Sequence, residues 1–212
     1  MSPHRFLPVP LALALFALAH PAHAAPVQWK VEDGGNGHYY DAGGSGPEVG
    51  MWEPSRAEAA SKSFAGLPGH LATITSPAEE AFILDHFRNL SDVYLGGVQA
   101  PNSAAPDQGW SWITGEPWDF TYWGKLPTTP DEPTDGIGPR SPENNDENYL
   151  SMYGVFFTGG RWNDVNGMRL PSNVVGYLVE YEAVTPEPSS AALSLALGAL
   201  ALLRRTRGTR RR

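Results

Sequence analysis

The chain has no cysteine, although both of its ends read as export signals. Small exported domains are often stapled by disulfides. This one must hold its fold through its core, a bound ion, or both. The missing thiols also exclude cysteine catalysis, thiolate zinc sites and iron–sulfur clusters.

The stretch 1–24 reads as a secretory signal peptide. His4 and Arg5 open it, Leu7 to Leu18 is apolar, and Ala22-His23-Ala24 is a small-x-small cleavage site. The apolar run is too short for a spanning helix. The stretch 184–212 reads as a second address. Thr185-Pro186-Glu187-Pro188 interrupts regular structure, because proline has no N–H. Ala191 to Leu203 is then apolar apart from Ser194 and Gly198, and six arginines follow. A helix over 191–203 reaches only about 20 Å against a hydrocarbon core of about 30 Å. It is a marginal transmembrane segment whose arginines belong on the cytoplasmic side.

Between these ends, 25–183 is the size of one domain. Seven of the 15 Lys and Arg lie in the ends, but only Glu187 of the 23 Asp and Glu; 8 basic groups face 22 acidic ones, a net charge of about −14. Such a surface repels nucleic acid phosphates and favours cations. All seven Trp and all eight Tyr lie in this middle part, which gives it large aromatic area to bury. Abundant Gly and Pro point to a loop-rich, strand-containing fold.

Val27 to Val31 and His38-Tyr39-Tyr40 read as short strands. Ser55-Arg56-Ala57-Glu58 is a capping box that predicts a helix through about Phe64, with Gly66 at its C′ position. His70 to Ile74 reads as a strand. Ser76-Pro77-Ala78-Glu79 is a second capping box, with proline at the first helical position, and predicts a helix to about Asn89. Asp92 to Gln99 and Trp110 to Thr114 read as strands. Periodicity is lost from Glu116 to Glu147, a connection with six prolines and too long for a plain loop. Tyr149 to Phe157 and Val174 to Glu182 read as strands flanking a turn at Trp162-Asn163-Asp164.

That pattern sets Glu147, Asn163 and Asp164 at strand ends. Hard cations such as calcium take six to eight oxygen ligands from such groups, backbone carbonyls and water. The competing reading is a turn whose side chains bond their own backbone. His38, His70 and His86 sit on different elements, without a second His at metal spacing. Glu58 and Glu79 read as helix caps. No carboxylate pair is singled out as a glycosidase needs, and Thr75 and Ser76 lie in no nucleophile elbow. The expectation is a binding module and not an enzyme.

The motif order resembles a C-type lectin-like domain. His70-Leu71-Ala72-Thr73-Ile74 with Glu79-Glu80-Ala81-Phe82 is similar to the family's second strand and second helix. Tyr94-Leu95-Gly96-Gly97, Trp110-Ser111-Trp112-Ile113-Thr114-Gly115, Glu147-Asn148-Tyr149, Trp162-Asn163-Asp164 and Gly176-Tyr177-Leu178-Val179-Glu180 follow in the family's order. The resemblance implies an α+β, C-type lectin-like fold: two helices flanking small antiparallel sheets, a long irregular loop, and here no cysteines. It also implies calcium-dependent carbohydrate binding, with a polysaccharide or other glycan as partner. Glu147, Asn163 and Asp164 match the family's metal and sugar ligands. The family's loop triplet has two counterparts. Glu143-Asn144-Asn145 has the residue types with its proline ahead of it. Glu132-Pro133-Thr134-Asp135 has the proline without the asparagine and lies farther from Glu147 in the chain. Proximity to Glu147 favours Glu143 and Asn145.

Pro186-Glu187-Pro188, a short apolar helix and an arginine cluster resemble a PEP-CTERM sorting signal. That resemblance implies an exosortase-type enzyme at the tail, a transient membrane anchor, and a final place outside the cell or at its surface. The imperfect loop triplet leaves an alternative, the same fold serving as a structural or protein-interaction module in the extracellular matrix.

Overall fold

The computed structural model describes residues 24–44, 51–125, 131–136, 147–154, 159–167 and 176–182. Glu143, Asn145, Pro186, Glu187, Pro188 and the segment 191–203 lie outside the described residues. Among the described residues no helix is long and apolar enough to cross a membrane.

The elements in chain order are β1 (Val27–Gln28), β2 (Tyr39–Gly43), α1 (Trp52–Ser61), β3 (Ser63–Phe64), β4 (Leu67–Leu71), α2 (Pro77–His86), β5 (Val93–Gln99), β6 (Trp110–Trp112), β7 (Tyr149–Met152), β8 (Trp162–Val165) and β9 (Gly176–Tyr181). The strand order is β1-β2-β9-β5-β7-β8, with β4 also on β9 and β6 on β5. The last strand therefore lies in the middle. All six residues of β9 are buried, as expected of a strand covered on both faces. It runs antiparallel to β2 and β4 and parallel to β5.

Alternation along β5 and β9 divides the core in two. Leu95 and Leu178 face a cluster with Ile74, Ile83, Trp112 and Trp162. Tyr94, Tyr177 and Val179 face a second one with Trp52, Ala59 and Leu71.

The start of α2 follows its local signal. Ser76 Oγ accepts from the Glu79 amide at 3.2 Å, and Pro77 opens the helix. The helix stops at His86, short of Asn89. The expected return contact goes elsewhere, since Glu79 Oε2 accepts from the amide and hydroxyl of Thr75 at 2.8 and 3.0 Å.

The other capping box misleads. α1 begins at Trp52, and Ser55 lies inside it, 2% exposed. Tertiary contacts set the start, because the Trp52 amide donates to Gly167 and its indole to the Leu95 carbonyl, both at 2.9 Å. Pro54 falls in the first turn, where its missing N–H costs no helical bond. Phe64 belongs to β3, and Gly66, with φ of 83°, turns the chain into β4.

Trp162-Asn163-Asp164 is not a turn. It forms β8 and pairs in antiparallel register with β7, from Met152↔Trp162 to Tyr149↔Val165. The burial of Trp162 and Asp164 on one face is the strand signature that a turn reading overlooks. β4 ends at Leu71, so Ala72 to Ile74 continue as buried, irregular chain.

Candidate functional site

The site is assembled around β8. Trp162 is fully buried. Its ring meets Trp112, Phe120 and Trp123 edge-on, with centroids 5.6, 5.6 and 5.9 Å away. Edge-to-face packing of this kind adds to the area term in holding an aromatic ring. The indole Nε1 donates to Glu80 Oε2 at 2.9 Å. Burial pushes Glu80 up to about 8, against the pull of that hydrogen bond. The Trp162 side chain is thereby fixed at both its ring and its indole N–H, one residue before Asn163.

The long loop joins β8 through its backbone. The Trp162 amide donates to Tyr122, the Gly124 amide to Trp162, and the Glu132 amide to Gly124, at 2.9, 2.8 and 2.9 Å. Arg161 stacks its guanidinium on Tyr122, 4.0 Å from the ring centre. A Cβ on Gly124 would lie 3.0 Å from Glu132 Cγ and 3.3 Å from the Trp162 carbonyl oxygen. Glycine at 124 thus lets the loop lie flat on the strand and deliver Glu132.

The loop end is clamped by Asp164, which is 1% exposed. Its Oδ1 accepts from the Thr134 amide at 3.0 Å and its Oδ2 from the Asp135 amide at 2.6 Å. Asp135, with φ of 49°, turns the chain so that its own Oδ1 accepts from the Glu147 amide at 3.3 Å. The Glu132–Pro133 peptide is cis. Asp164 on β8, the 132–135 segment and Glu147 ahead of β7 are thus one bonded unit.

Both of its neighbouring carboxyls, Glu132 and Asp164, are raised above their ordinary values. Glu132 is pushed up to about 7, first by burial and then by the charge of Asp164. Its Oε1 accepts from the Tyr153 hydroxyl at 3.3 Å, while Oε2 is buried without a hydrogen-bond partner. Burial raises Asp164 above the ordinary carboxylate range, and the two amides only partly offset it. An orphaned buried carboxylate oxygen costs roughly 1–3 kcal/mol or more.

Of the residues expected from sequence, Asp164 and Glu147 meet through Asp135. Asn163 is half-buried, and its carbonyl accepts from Ser151 Oγ at 3.3 Å. Glu132, the more distant counterpart along the chain, sits against Asp164. Pairing of 122–124 with β8 removes the intervening chain distance. The Glu-Pro step at 132–133 is the signal that marks it as a counterpart in the sequence. Among the described residues no group of three or more His, Asp or Glu is placed to hold a metal ion.

No family model matches the chain. The solved structure of an EPNH mutant of CEL-I superposes with a TM-score of 0.51 at 22% identity, covering 75% of this chain and 97% of that one. CEL-I is a C-type lectin from Cucumaria echinata. The chain has the C-type lectin-like fold. Human lithostathine agrees, with a TM-score of 0.50 at 15% identity over 81% of this chain and 99% of its own. Among curated proteins, Halomucin of Haloquadratum walsbyi is 32% identical over 154 residues, 72% of this chain. The chain spans only 2% of Halomucin's length.

Proposed function

We propose that the chain is an exported carbohydrate-binding module, and not an enzyme, in which calcium bridges protein oxygens to glycan hydroxyls. The observation that carries this reading is the half-buried Glu132 held against the buried Asp164 on a bonded loop edge of a C-type lectin-like fold. Two carboxylates held together with an orphaned oxygen fit a hard divalent cation in donor chemistry. Glu132, Glu147, Asn163 and Asp164 are the described candidates to hold it, and Glu143 and Asn145 are candidates to complete the shell from 137–146. The cation would neutralise the pair and offer open positions to sugar hydroxyls. The ends add the proposed route: a leader at 1–24, a Pro186-Glu187-Pro188 sorting signal for an exosortase-type enzyme, and a transient anchor at 191–203. The working place is then the cell surface or an extracellular polysaccharide.

Glycan-array binding tests the reading. It should be lost in chelator, restored by calcium and absent in Glu132→Gln. Binding that persists in excess chelator contradicts it.

A second reading rests on a specific observation. Both Asp164 oxygens already accept amides from Thr134 and Asp135, so the unit closes structurally without an ion. A structural or protein-interaction module needs no more than this. Calorimetric titration showing no calcium heat would favour it.

A further inference from the structure

A second acidic cluster lies where the β1–β2 hairpin meets α2 and β9. Glu79 and Glu180 are 2% and 1% exposed. Tyr40 stands between them, its hydroxyl 2.5 Å from Glu79 Oε1 and 3.2 Å from Glu180 Oε1. Asn36 Nδ2 donates to the Tyr40 oxygen and to Glu79 Oε1 at 2.9 and 3.2 Å. The far oxygen of Glu79 is satisfied by Thr75. Glu180 Oε2 accepts from the amide and hydroxyl of Thr73 at 2.9 and 3.0 Å, but that hydroxyl also lies 2.7 Å from Glu116 Oε2. His38 Nδ1 stands 2.6 Å from Glu180 Oε1.

The hydrogens do not suffice. A hydroxyl carries one proton. Tyr40 cannot donate to both glutamates, and Thr73 cannot donate to both Glu180 and Glu116. Glu182 adds a further carboxylate at the end of β9, 3.3 Å from His70 Nε2, and Glu80 follows Glu79 on α2. The cluster holds more acceptors than donors, and His38 is the member able to bring positive charge.

We propose that His38, Tyr40, Glu79 and Glu180 form a proton-operated latch that fastens the β1–β2 hairpin to α2 and β9 and loosens when its extra protons are lost.

The electrostatics run in the same sense. Burial pulls His38 down, but the hydrogen bond to Glu180 and the charges of Glu180, Glu182 and Glu79 outweigh it and leave the ring above 6.5. Glu79 is raised above 4.5, chiefly by burial and then by Glu180. Burial and both glutamates raise Tyr40, which therefore remains a donor. A group raised on folding stabilises below its unfolded pKa and loses that contribution as pH rises through the folded value. Both His38 and Glu79 make the latch tighter in acid.

The test is hydrogen exchange of the Tyr39–Gly43 amides and thermal melting of the purified protein, in chelator, from about pH 5 to about pH 9. Exchange in the hairpin, corrected for intrinsic rate, should rise about tenfold or more towards alkaline pH. In His38→Gln and Glu79→Gln the pH slope should be markedly shallower. An unchanged slope in both variants overturns the latch. Should the variants fail to fold, NMR titration of His38 in the wild type decides: a pKa at or below its unperturbed value overturns it. Repeating the melts with calcium in Glu132→Gln separates a cation site. If calcium abolishes the slope there, the cluster holds a cation, and the proton latch is wrong.

Discussion

The two buried acid clusters differ in what they lack. The one around Glu79 and Glu180 is lined by hydroxyls, amides and an imidazole, so protons can balance it. The one around Glu132 and Asp164 is lined by backbone amides and further carboxylates, with the side chains of Tyr153 and Thr134 as its hydroxyl donors and no histidine among its described partners. Burial of acids can therefore have different outcomes. Where neutral donors and a histidine surround the carboxylates, burial makes a structural joint. Where oxygen acceptors converge on one edge, burial raises the carboxyls, and the proposed cation would take the place of the protons they retain.

The largest expected effect removes the support of one cluster. Trp162→Ala takes a fully buried ring from beneath Asp164 and should cost about 3–5 kcal/mol, as large-to-small core changes do. Denaturant melts check it, and a cost below about 1 kcal/mol would mean that β8 is held by its backbone alone.

Next comes the pH response of the Glu132 cluster. Its folded value of about 7 lies above the usual 4.5. Its stabilising contribution is complete below the lower value and is lost as pH rises through the higher one. In chelator, stability should fall by an amount on the order of 1–3 kcal/mol across that window, because a tenfold difference in proton affinity between folded and unfolded chain is worth about 1.4 kcal/mol. Calcium should remove this part of the slope and leave the part due to His38 and Glu79. Glu132→Gln should remove it without calcium. A slope insensitive to both would make the two clusters alike.

A smaller effect is expected at Glu80. Glu80→Gln keeps an acceptor for Trp162 Nε1 while removing the carboxyl that burial holds near 8. Stability above that pH should rise by about 1 kcal/mol relative to the wild type, since a buried charge no longer forms. Melts at alkaline pH check it, and an unchanged alkaline branch would mean that Glu80 ionises without cost. The smallest effect is at the surface. Arg88 and Asp85 pair on the exposed end of α2, and Arg88→Ala should leave melting and calcium response unmoved, as for most exposed pairs.

Local signals are legible where one hydrogen-bonded turn decides the structure. Ser76 and Pro77 mark the start of α2 because cap and fixed φ act within a few residues. The same composition at Ser55 to Glu58 misleads, because Trp52 starts α1 through bonds to Gly167 and Leu95. Trp162-Asn163-Asp164 identifies the fold but not its own conformation, since pairing with β7 is long-range. The motif points to Asp164, which the structure places buried and bonded to the Thr134 and Asp135 amides. Glu132 is named by its Glu-Pro step, but its place beside Asp164 is not legible, because it depends on Tyr122 to Gly124 lying along β8, a contact that no local window contains.

The most direct measurement is the melting temperature of the purified protein against calcium concentration, in the wild type, Glu132→Gln and Glu79→Gln. An ion that binds only the native state raises stability with the logarithm of its concentration above Kd. The wild type and Glu79→Gln should show that rise, and Glu132→Gln should not. A wild type unmoved by calcium, or an equal rise in Glu132→Gln, would contradict a cation-holding edge at Glu132 and Asp164.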